Sequence, residues 1–157
     1  MSWAAAAVVV VACSTARLCG LTHLGLSGPS AVQSSEPGPL RLACSFLHTS
    51  QEFHQLDVKW YKDGEQEPFL QWIPSLDKRP QLVTDRRHLA GAAVRVAHRA
   101  TNTSQGRRVD QALVIKRATT QLTGHFRCRV ATFYDDLTSG LQITVFGEIE
   151  LFSFSRC

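Results

Sequence analysis

The sequence lacks several features that would place it in common structural classes. Beyond its first residues it has no uncharged apolar run of about 20 residues, the length that a transmembrane helix requires. It has no convincing helical period, no internal repeat and no low-complexity tract. These absences exclude, for the sequence as given, a helical bundle, a repeat array and a transmembrane helix.

Motifs of catalysis are missing too. The sequence has no Gly-x-Ser-x-Gly elbow, no His-Glu-x-x-His motif and no phosphate-binding loop. No metal-ligand spacing is found among the six histidines, which are His23, His48, His54, His88, His98 and His125. Motifs that read nucleic acid are also absent. We therefore predict no enzymatic activity, no cofactor or metal, and no nucleic-acid partner.

The totals suit one ordinary globular domain. The chain has 157 residues, of which 44% are hydrophobic, so it can bury a core and wholesale disorder is not expected. Its 17 basic and 13 acidic residues give a net charge of +4. That mild excess permits an anionic partner without requiring one.

The N-terminus resembles a secretory signal peptide. A short apolar run from Ala4 to Ala12 is followed by small residues, and Ser14 and Ala16 fit the small-x-small cleavage rule. We expect residues 1–20 to be the signal, with cleavage after Ala16 or as late as Gly20. A buried helix or an uncleaved anchor is the alternative, although the run is too short to span a membrane.

Secretion would expose the cysteines to an oxidising compartment, where disulfides persist. Of five cysteines, Cys13 would leave with the signal, and Cys19 would leave or stay with the cleavage site. Cys44, Cys128 and Cys157 then remain, so two can pair within the chain and one is left over. Cys157 could join two chains, or it could reflect only how the chain ends.

After the signal the pattern is that of an all-β domain. Runs rich in β-formers alternate with Gly, Pro, Asn, Asp and Ser. We expect strands at 21–26 with a break at Gly28-Pro29 and a resumption near Val32, and then at 40–46, 58–61, 69–73, 94–98, 112–115, 125–131 and 141–146. Strands at this spacing predict a two-sheet sandwich. Residues 21–147 would form this domain, and 148–157 a short tail.

The order Cys44, Trp60, Cys128 resembles the immunoglobulin pattern. In that sandwich the first Cys lies on strand B and the second on strand F, and a Trp on strand C packs against their disulfide. The resemblance implies a Cys44–Cys128 disulfide with Trp60 in the core. The parity of the strands agrees, since Trp60 shares a face with Val58. The long gap between the cysteines leaves room for two extra strands, which favours a variable-type Greek-key sandwich.

"LTGHFRCRV" also resembles the strand-F signature of this superfamily, Asp-x-Gly-x-Tyr-x-Cys. Gly124 and Cys128 match it. Phe126 stands at the Tyr position and has no hydroxyl for the usual corner hydrogen bond. Leu122 stands at the Asp position and cannot form the usual ion pair.

A narrower resemblance lies in "KWYKDG", "FLQWIP" and Pro80. These residues, with the entry segment "GPSAVQSSEPGPLRLACSF", resemble the first domain of the arthropod Beat (beaten path) family, over roughly residues 21–146. The resemblance implies a secreted or surface-attached protein of cell adhesion and axon guidance. It also implies a partner among Sidestep-type immunoglobulin receptors. The sequence as given shows no second immunoglobulin domain and no membrane anchor, so the resemblance does not extend to an anchoring or signalling role.

Strand parity selects a candidate partner-binding face. With Trp60 inward, Lys59 and Tyr61 point outward, as do Arg127 and Arg129 on the neighbouring strand. On the next strand, resemblance to the antibody pattern places Leu70 and Trp72 outward. Tyr, Trp and Arg are enriched in binding hot spots, so these six residues are the candidate contact set. The alternative is that Trp72 belongs to the core and the arginines form a solvated surface.

Two other features suggest rival or additional roles. Between 86 and 129 there is one acid, Asp110, and there are ten basic residues: Arg86, Arg87, Arg95, Arg99, Arg107, Arg108, Lys116, Arg117, Arg127 and Arg129. Such a basic stripe could bind heparan sulfate or a matrix component, if it converges on one face away from Tyr61 and Trp72. It could equally be an ordinary charged surface, and a soluble immune-type recognition role also stays open. Asn102 begins an N-glycosylation sequon in a polar loop.

Overall fold

β-strands make up almost all of the regular secondary structure in the described part of the chain. The structure is a computed structural model that describes residues 20–83, 89 and 92–147. In these residues the strands are β1 (Thr22–Ser27), β2 (Ala31–Gln33), β3 (Leu40–His48), β4 (Asp57–Lys62), β5 (Leu70–Trp72), β6 (Gln81–Leu82), β7 (Val94–Thr103), β8 (Gly106–Ile115), β9 (Gly124–Ala131) and β10 (Asp136–Phe146). Single 3₁₀ turns lie at Phe53–Gln55 and Thr120–Leu122. None of the described residues belongs to a helix long and apolar enough to cross a membrane.

The strands form two sheets that enclose one core. One sheet has the order β1-β3-β8-β7 and the other the order β2-β10-β9-β4-β5-β6. This is the arrangement of an immunoglobulin sandwich of the variable type, in which two extra strands, here β5 and β6, extend the second sheet. The predicted fold class is therefore confirmed.

The first two strands, β1 and β2, belong to different sheets. β1 pairs antiparallel with β3, whereas β2 pairs parallel with β10 in the other sheet. The chain crosses between Ser27 and Ala31, where an added Cβ on Gly28 would lie 2.7 Å from Cδ2 of Leu42 and 3.1 Å from the backbone oxygen of Arg41. This tight packing favours glycine at the crossing, which coincides with the break predicted at Gly28-Pro29.

A disulfide joins the centres of the two sheets. Cys44 on β3 is bonded to Cys128 on β9, as the immunoglobulin resemblance implied. Trp60 on β4 lies directly opposite Cys128 in the sheet and is fully buried. The central strands β3, β4 and β9 give alternate residues to the core around them, and on β3 these are Leu40, Leu42, Cys44 and Phe46. These three strands therefore bury one face each, as the alternation in their sequences predicts.

The start of β9 replaces the superfamily's polar contacts with packing. Leu122 and Phe126 are both fully buried, and the Phe126 ring meets Phe69 edge-on at 6.3 Å between ring centres. A polar link is still present nearby, because the Asp63 carboxylate accepts a hydrogen bond of 2.8 Å from the backbone N–H of His125. Gly124 makes room for it, since a Cβ there would lie 2.3 Å from Oδ1 of Asp63.

Several expectations fall outside the described residues. They concern the signal sequence over residues 1–19 with Cys13 and Cys19, the tail 148–157 with Cys157, and the basic residues Arg86 and Arg87.

Candidate binding face

Two central strands of the six-stranded sheet bring four of the predicted contact residues together. β4 and β9 pair with Lys59 opposite Arg129 and with Tyr61 opposite Arg127. All four side chains are partly exposed, while the residues between them, such as Trp60, are buried. The four residues therefore form a two-by-two array on the outer surface of this sheet.

The expectation that Leu70 and Trp72 point outward is wrong. Both are buried, with 0% and 3% of their surface exposed. In the pairing of β5 with β4, Trp72 lies opposite Val58 and Leu70 opposite Trp60, and directly opposed residues share a face. The register differs by one residue from the one expected, and such a shift turns every side chain to the other face.

Gln71 takes the outward position on β5. Its Nε2 donates a hydrogen bond of 2.9 Å to Oδ1 of Asp57 on β4. Trp72 instead donates from its indole N–H to the backbone oxygen of Asp77 at 3.2 Å, and its ring lies 4.4 Å from the His98 ring at the edge of the opposite sheet. We call Lys59, Tyr61, Gln71, Arg127 and Arg129 the front face.

Tyr61 and Arg127 form the stacked centre of the front face. The guanidinium carbon of Arg127 lies 5.0 Å from the centre of the Tyr61 ring, within the range of cation–π attraction. Arg127 also donates from Nη2 to the backbone oxygen of Glu65 at 3.1 Å. These contacts hold a cation and an aromatic ring together before any partner binds, which reduces the entropy lost on binding.

Ion pairs flank this centre. Arg129 donates from Nε to Oδ1 of Asp136 at 2.7 Å and forms a second hydrogen bond to the same carboxylate. The Arg129 guanidinium holds the pKa of Asp136 below its ordinary value. Nζ of Lys59 lies 2.7 Å from Oδ2 of Asp57. Exposed pairs such as these contribute little to stability, but they offset most of the positive charge of the front face.

An exposed aromatic pair extends the surface beyond the strands. Phe133 and Tyr134, in the turn between β9 and β10, are 81% and 86% exposed. The turn is held by a backbone hydrogen bond of 2.7 Å from Thr132 to Asp135, and the Thr132 hydroxyl accepts from the N–H groups of Tyr134 and Asp135. We call Phe133 and Tyr134 the aromatic tip.

The sequence carried a signal for the aromatic tip that strand parity did not use. "TFYDD" places two aromatic residues beside acids in a connection between predicted strands. Aromatic residues in such a turn have no core to enter. Asp57 and Asp136 both pair with Ala131, the last residue of β9 before this turn. The aromatic tip therefore lies at the end of the sheet that is nearer to Lys59 and Arg129.

The basic residues between 86 and 129 that the structure describes do not converge on one surface. The eight that the structure describes divide between both sheets and the ends of the four-stranded sheet: Arg127 and Arg129 on the front face, Arg95, Arg99 and Arg108 on the outer face of the other sheet, Arg107 at the β7–β8 turn, and Lys116 and Arg117 after β8. A single stripe is therefore not present among them.

The sequon lies at an accessible place. Asn102, Thr103 and Ser104 are all exposed, at the end of β7 where the chain turns into β8. The Thr103 hydroxyl donates to the backbone oxygen of Gly106 at 2.7 Å. The turn therefore keeps its shape while the Asn102 side chain stays open to solvent.

Among the described residues, one trio has ligand atoms close enough to hold a metal ion. It consists of His23, Cys44 and Cys128. The disulfide uses both sulfur atoms, so the trio does not fit a metal. His23 lies beside the bond, with Nε2 at 3.8 Å from Sγ of Cys44, and burial lowers the pKa of its imidazole.

Comparison with known proteins assigns no family to this chain. No protein-family model matches the chain, and no curated protein is significantly similar to it. Among solved structures, the chain is similar to a chimeric titin Z1Z2 functionalised with an exogenous KLER peptide from decorin. The two share 18% identity over 82% of this chain and 95% of the titin chain, with a TM-score of 0.48.

Proposed function

We propose that this chain is a secreted immunoglobulin-domain recognition protein that binds another cell-surface protein through the front face and the aromatic tip. Residues 1–20 would be the signal peptide, 21–147 the binding domain, and 148–157 a tail. The proposal assigns binding alone, without catalysis. The exposure of Phe133 and Tyr134 carries it, because 81% and 86% exposure of two adjacent aromatic rings is costly without a partner.

The composition of the surface supports a protein partner. Tyr and Arg are over-represented among residues that dominate binding energy, and the front face holds a Tyr61–Arg127 stack. Its remaining charges are mostly offset by Asp57 and Asp136. A surface of aromatic anchors with a polar, charge-balanced rim is typical of protein interfaces.

The resemblance to the Beat family suggests the kind of partner. It favours a Sidestep-type immunoglobulin receptor and a role in cell adhesion or axon guidance. The most specific part of the resemblance lies in residues 58–80, and the same segment supplies Lys59, Tyr61 and Gln71 of the front face. A soluble immune-type recognition protein would use the same surface with a different partner. A glycan on Asn102 would leave the surface free, because Asn102 lies on the other sheet.

A cell-surface binding assay tests the proposal. The full chain, secreted from eukaryotic cells and multimerised for avidity, is applied to cells that display Sidestep-type receptors. Three variants are compared with the wild type: Tyr61→Ala, Arg127→Ala, and the double change Phe133→Ser with Tyr134→Ser. We expect each to lower the apparent affinity by about tenfold or more, the scale of a hot-spot residue.

The matched control is Leu24→Ser, which removes an apolar side chain of 45% exposure from the opposite sheet. It should bind like the wild type. Receptor-dependent binding that the three test variants retain in full would overturn the assignment of the surface. Absence of binding to every Sidestep-type receptor would overturn the choice of partner, and a cell-surface library would then show whether any protein binds through Tyr61.

A further inference from the structure

The four-stranded sheet is unusual in its charge. Its strands β1, β3, β7 and β8 contain one acidic residue, Asp110, and five arginines. Four of the arginines lie on the outer face, away from the core: Arg41 alternates with core residues of β3, and the others share its face by strand register. We call Arg41, Arg95, Arg99 and Arg108 the arginine face.

Strand register places the arginines in two groups with alanines between them. Arg41 and Arg95 both pair with Val114, on opposite sides of β8. Two residues earlier on β8, Ala112 pairs with Ala43 and with Ala97. Two residues earlier again, Asp110 pairs with Arg99. Strand geometry puts the Cα atoms of Arg41 and Arg95 about 10 Å apart, and those of Arg95 and Arg99 about 13 Å apart. A row of alanines therefore separates two groups of arginines, and its central member, Ala112, is fully buried.

The one acid on this face is already engaged. Asp110 accepts hydrogen bonds from the Ser45 hydroxyl and from Nε of Arg108 at 3.1 Å. Burial alone would raise the pKa of Asp110, but the bonds from Ser45 and Arg108 and the charge of Arg99 hold it below its ordinary value. Arg108 is thereby oriented, while Arg41, Arg95 and Arg99 are exposed.

A cleft continues the positive charge at one end of the sheet. Arg95 and Lys116 line it, over a floor that includes Pro39, Val94 and Val114, and its volume is about 560 Å³. Lys116 also lines the adjoining cleft with Arg117. Basic groups therefore run from this cleft along the sheet to Arg108. The apolar floor is that of the cleft itself.

We propose that the arginine face binds a linear sulfated polysaccharide of the heparan sulfate class. The guanidinium group has a planar fork of donors that can form paired hydrogen bonds with a tetrahedral or planar oxyanion. The arginines repeat along the face of the sheet, which suits a chain that carries charge at intervals. The apolar residues that line the cleft beside Arg95 and Lys116 suit the C–H surfaces of sugar rings. The outer positions of these strands carry no Phe, Tyr or Trp, so the anchors that dominate protein interfaces are missing.

This site is independent of the front face. The two lie on opposite sheets, so a protein partner and a polysaccharide could be held together. Asn102 lies on the core-side parity of β7, in register with Arg107. A glycan there would leave the arginine face open.

Salt-dependent heparin binding tests the proposal. The full chain, secreted from eukaryotic cells, is measured on immobilised heparin over a range of salt concentrations. The variant Arg95→Gln with Arg99→Gln is compared with Lys78→Gln and Arg79→Gln, which removes the same charge from exposed positions between β5 and β6. We expect the first variant to bind about tenfold or more weakly and to reduce the slope of log affinity against log salt by about two. The control variant should bind like the wild type.

Other polyanions distinguish the alternatives. Desulfated heparin and hyaluronan, which carries carboxylates without sulfates, should bind far more weakly than heparin. Equal weakening in both charge variants would show that only net charge matters and would overturn the site. Equal affinity for heparin and for single-stranded DNA would overturn the choice of a sulfated polysaccharide. An unchanged unfolding midpoint in the Arg95 and Arg99 variant confirms that loss of binding is not loss of the fold.

Discussion

The indole Nε1 of Trp60 donates a hydrogen bond of 2.6 Å to Oε1 of Gln111, and the two residues belong to different sheets. Gln111 lies opposite Cys44 within its sheet, and Trp60 lies opposite Cys128 within the other. The disulfide and the hydrogen bond therefore cross the core side by side. Each joins one residue of the Cys44–Gln111 pair to one residue of the Trp60–Cys128 pair. One link is covalent, and the other satisfies the polar group of a fully buried tryptophan.

Replacing Gln111 by methionine should isolate the value of this hydrogen bond. The change Gln111→Met keeps an unbranched side chain of similar size but removes the acceptor, so the buried Trp60 N–H is left unpaired. We expect the free energy of unfolding to fall by about 1–3 kcal/mol, measured by urea titration. Gln71→Met on the front face is the control and should shift stability by less than about 0.5 kcal/mol. Equal stability of the two variants would contradict the role of the Trp60 bond.

Trp72 and Tyr61 should behave in opposite ways because one is core and the other is surface. Trp72→Ala opens a cavity between the sheets, and we expect a loss of about 3–5 kcal/mol in the free energy of unfolding. Tyr61→Ala should cost less than about 1 kcal/mol, since the ring is partly exposed on the outer surface, where it contacts Arg127. Urea unfolding of both variants checks this. A stable Trp72→Ala protein would restore the outward placement that the structure rejects.

The central strands were predictable from sequence because their two faces differ in kind. Alternation around Cys44, Trp60 and Cys128 defined which residues enter the core, and it placed Tyr61 and Arg127 outward correctly. β5 offered no such contrast. Its apolar residues Phe69, Leu70 and Trp72 fall on both parities, so the sequence could not decide the register. Only pairing with β4 does so.

The β7–β8 hairpin shows a second limit. The sequence predicted strands at 94–98 and 112–115. In the structure β7 continues to Thr103, and β8 already begins at Gly106. The outer half carries polar residues on both parities, including Arg99, Asn102 and Arg108, and on β8 its buried face holds the polar Gln111 beside Val109. Hydrophobic periodicity is weak in such a segment, so it cannot mark the strand. The arginine face was hidden for a related reason, since only sheet register brings Arg41 near Arg95.

Removing the disulfide should weaken the domain substantially. Its bond closes a loop of 84 positions, so its loss frees much of the unfolded chain. The double variant Cys44→Ala with Cys128→Ala should lose about 2–5 kcal/mol in the free energy of unfolding. Reductant should lower the unfolding midpoint of the wild type but not of the double variant. A double variant as stable as the wild type would mean that the core, including the Trp60–Gln111 bond, suffices without the bridge.

The Asp63 carboxylate should make stability depend on acid pH. Burial opposes its ionisation, but the Lys62 ammonium and the His125 backbone N–H hold the pKa of Asp63 below its ordinary value. A carboxyl whose pKa is lowered by folding contributes stability that is complete above its unfolded value of about 3.9 and is lost as the pH falls through the folded value. Asp63→Asn should therefore be less stable than the wild type at neutral pH.

That difference should shrink as the pH falls below about 4, because the wild-type carboxyl then becomes neutral too. Urea midpoints of both proteins, measured from neutral to acid pH, give the comparison directly. Asp110 and Asp136, whose pKa values are also lowered, remain in both proteins, so their contribution cancels in the difference. A gap between the two proteins that stays constant with pH would show that Asp63 acts through shape, by filling the space beside Gly124, and not through its charge.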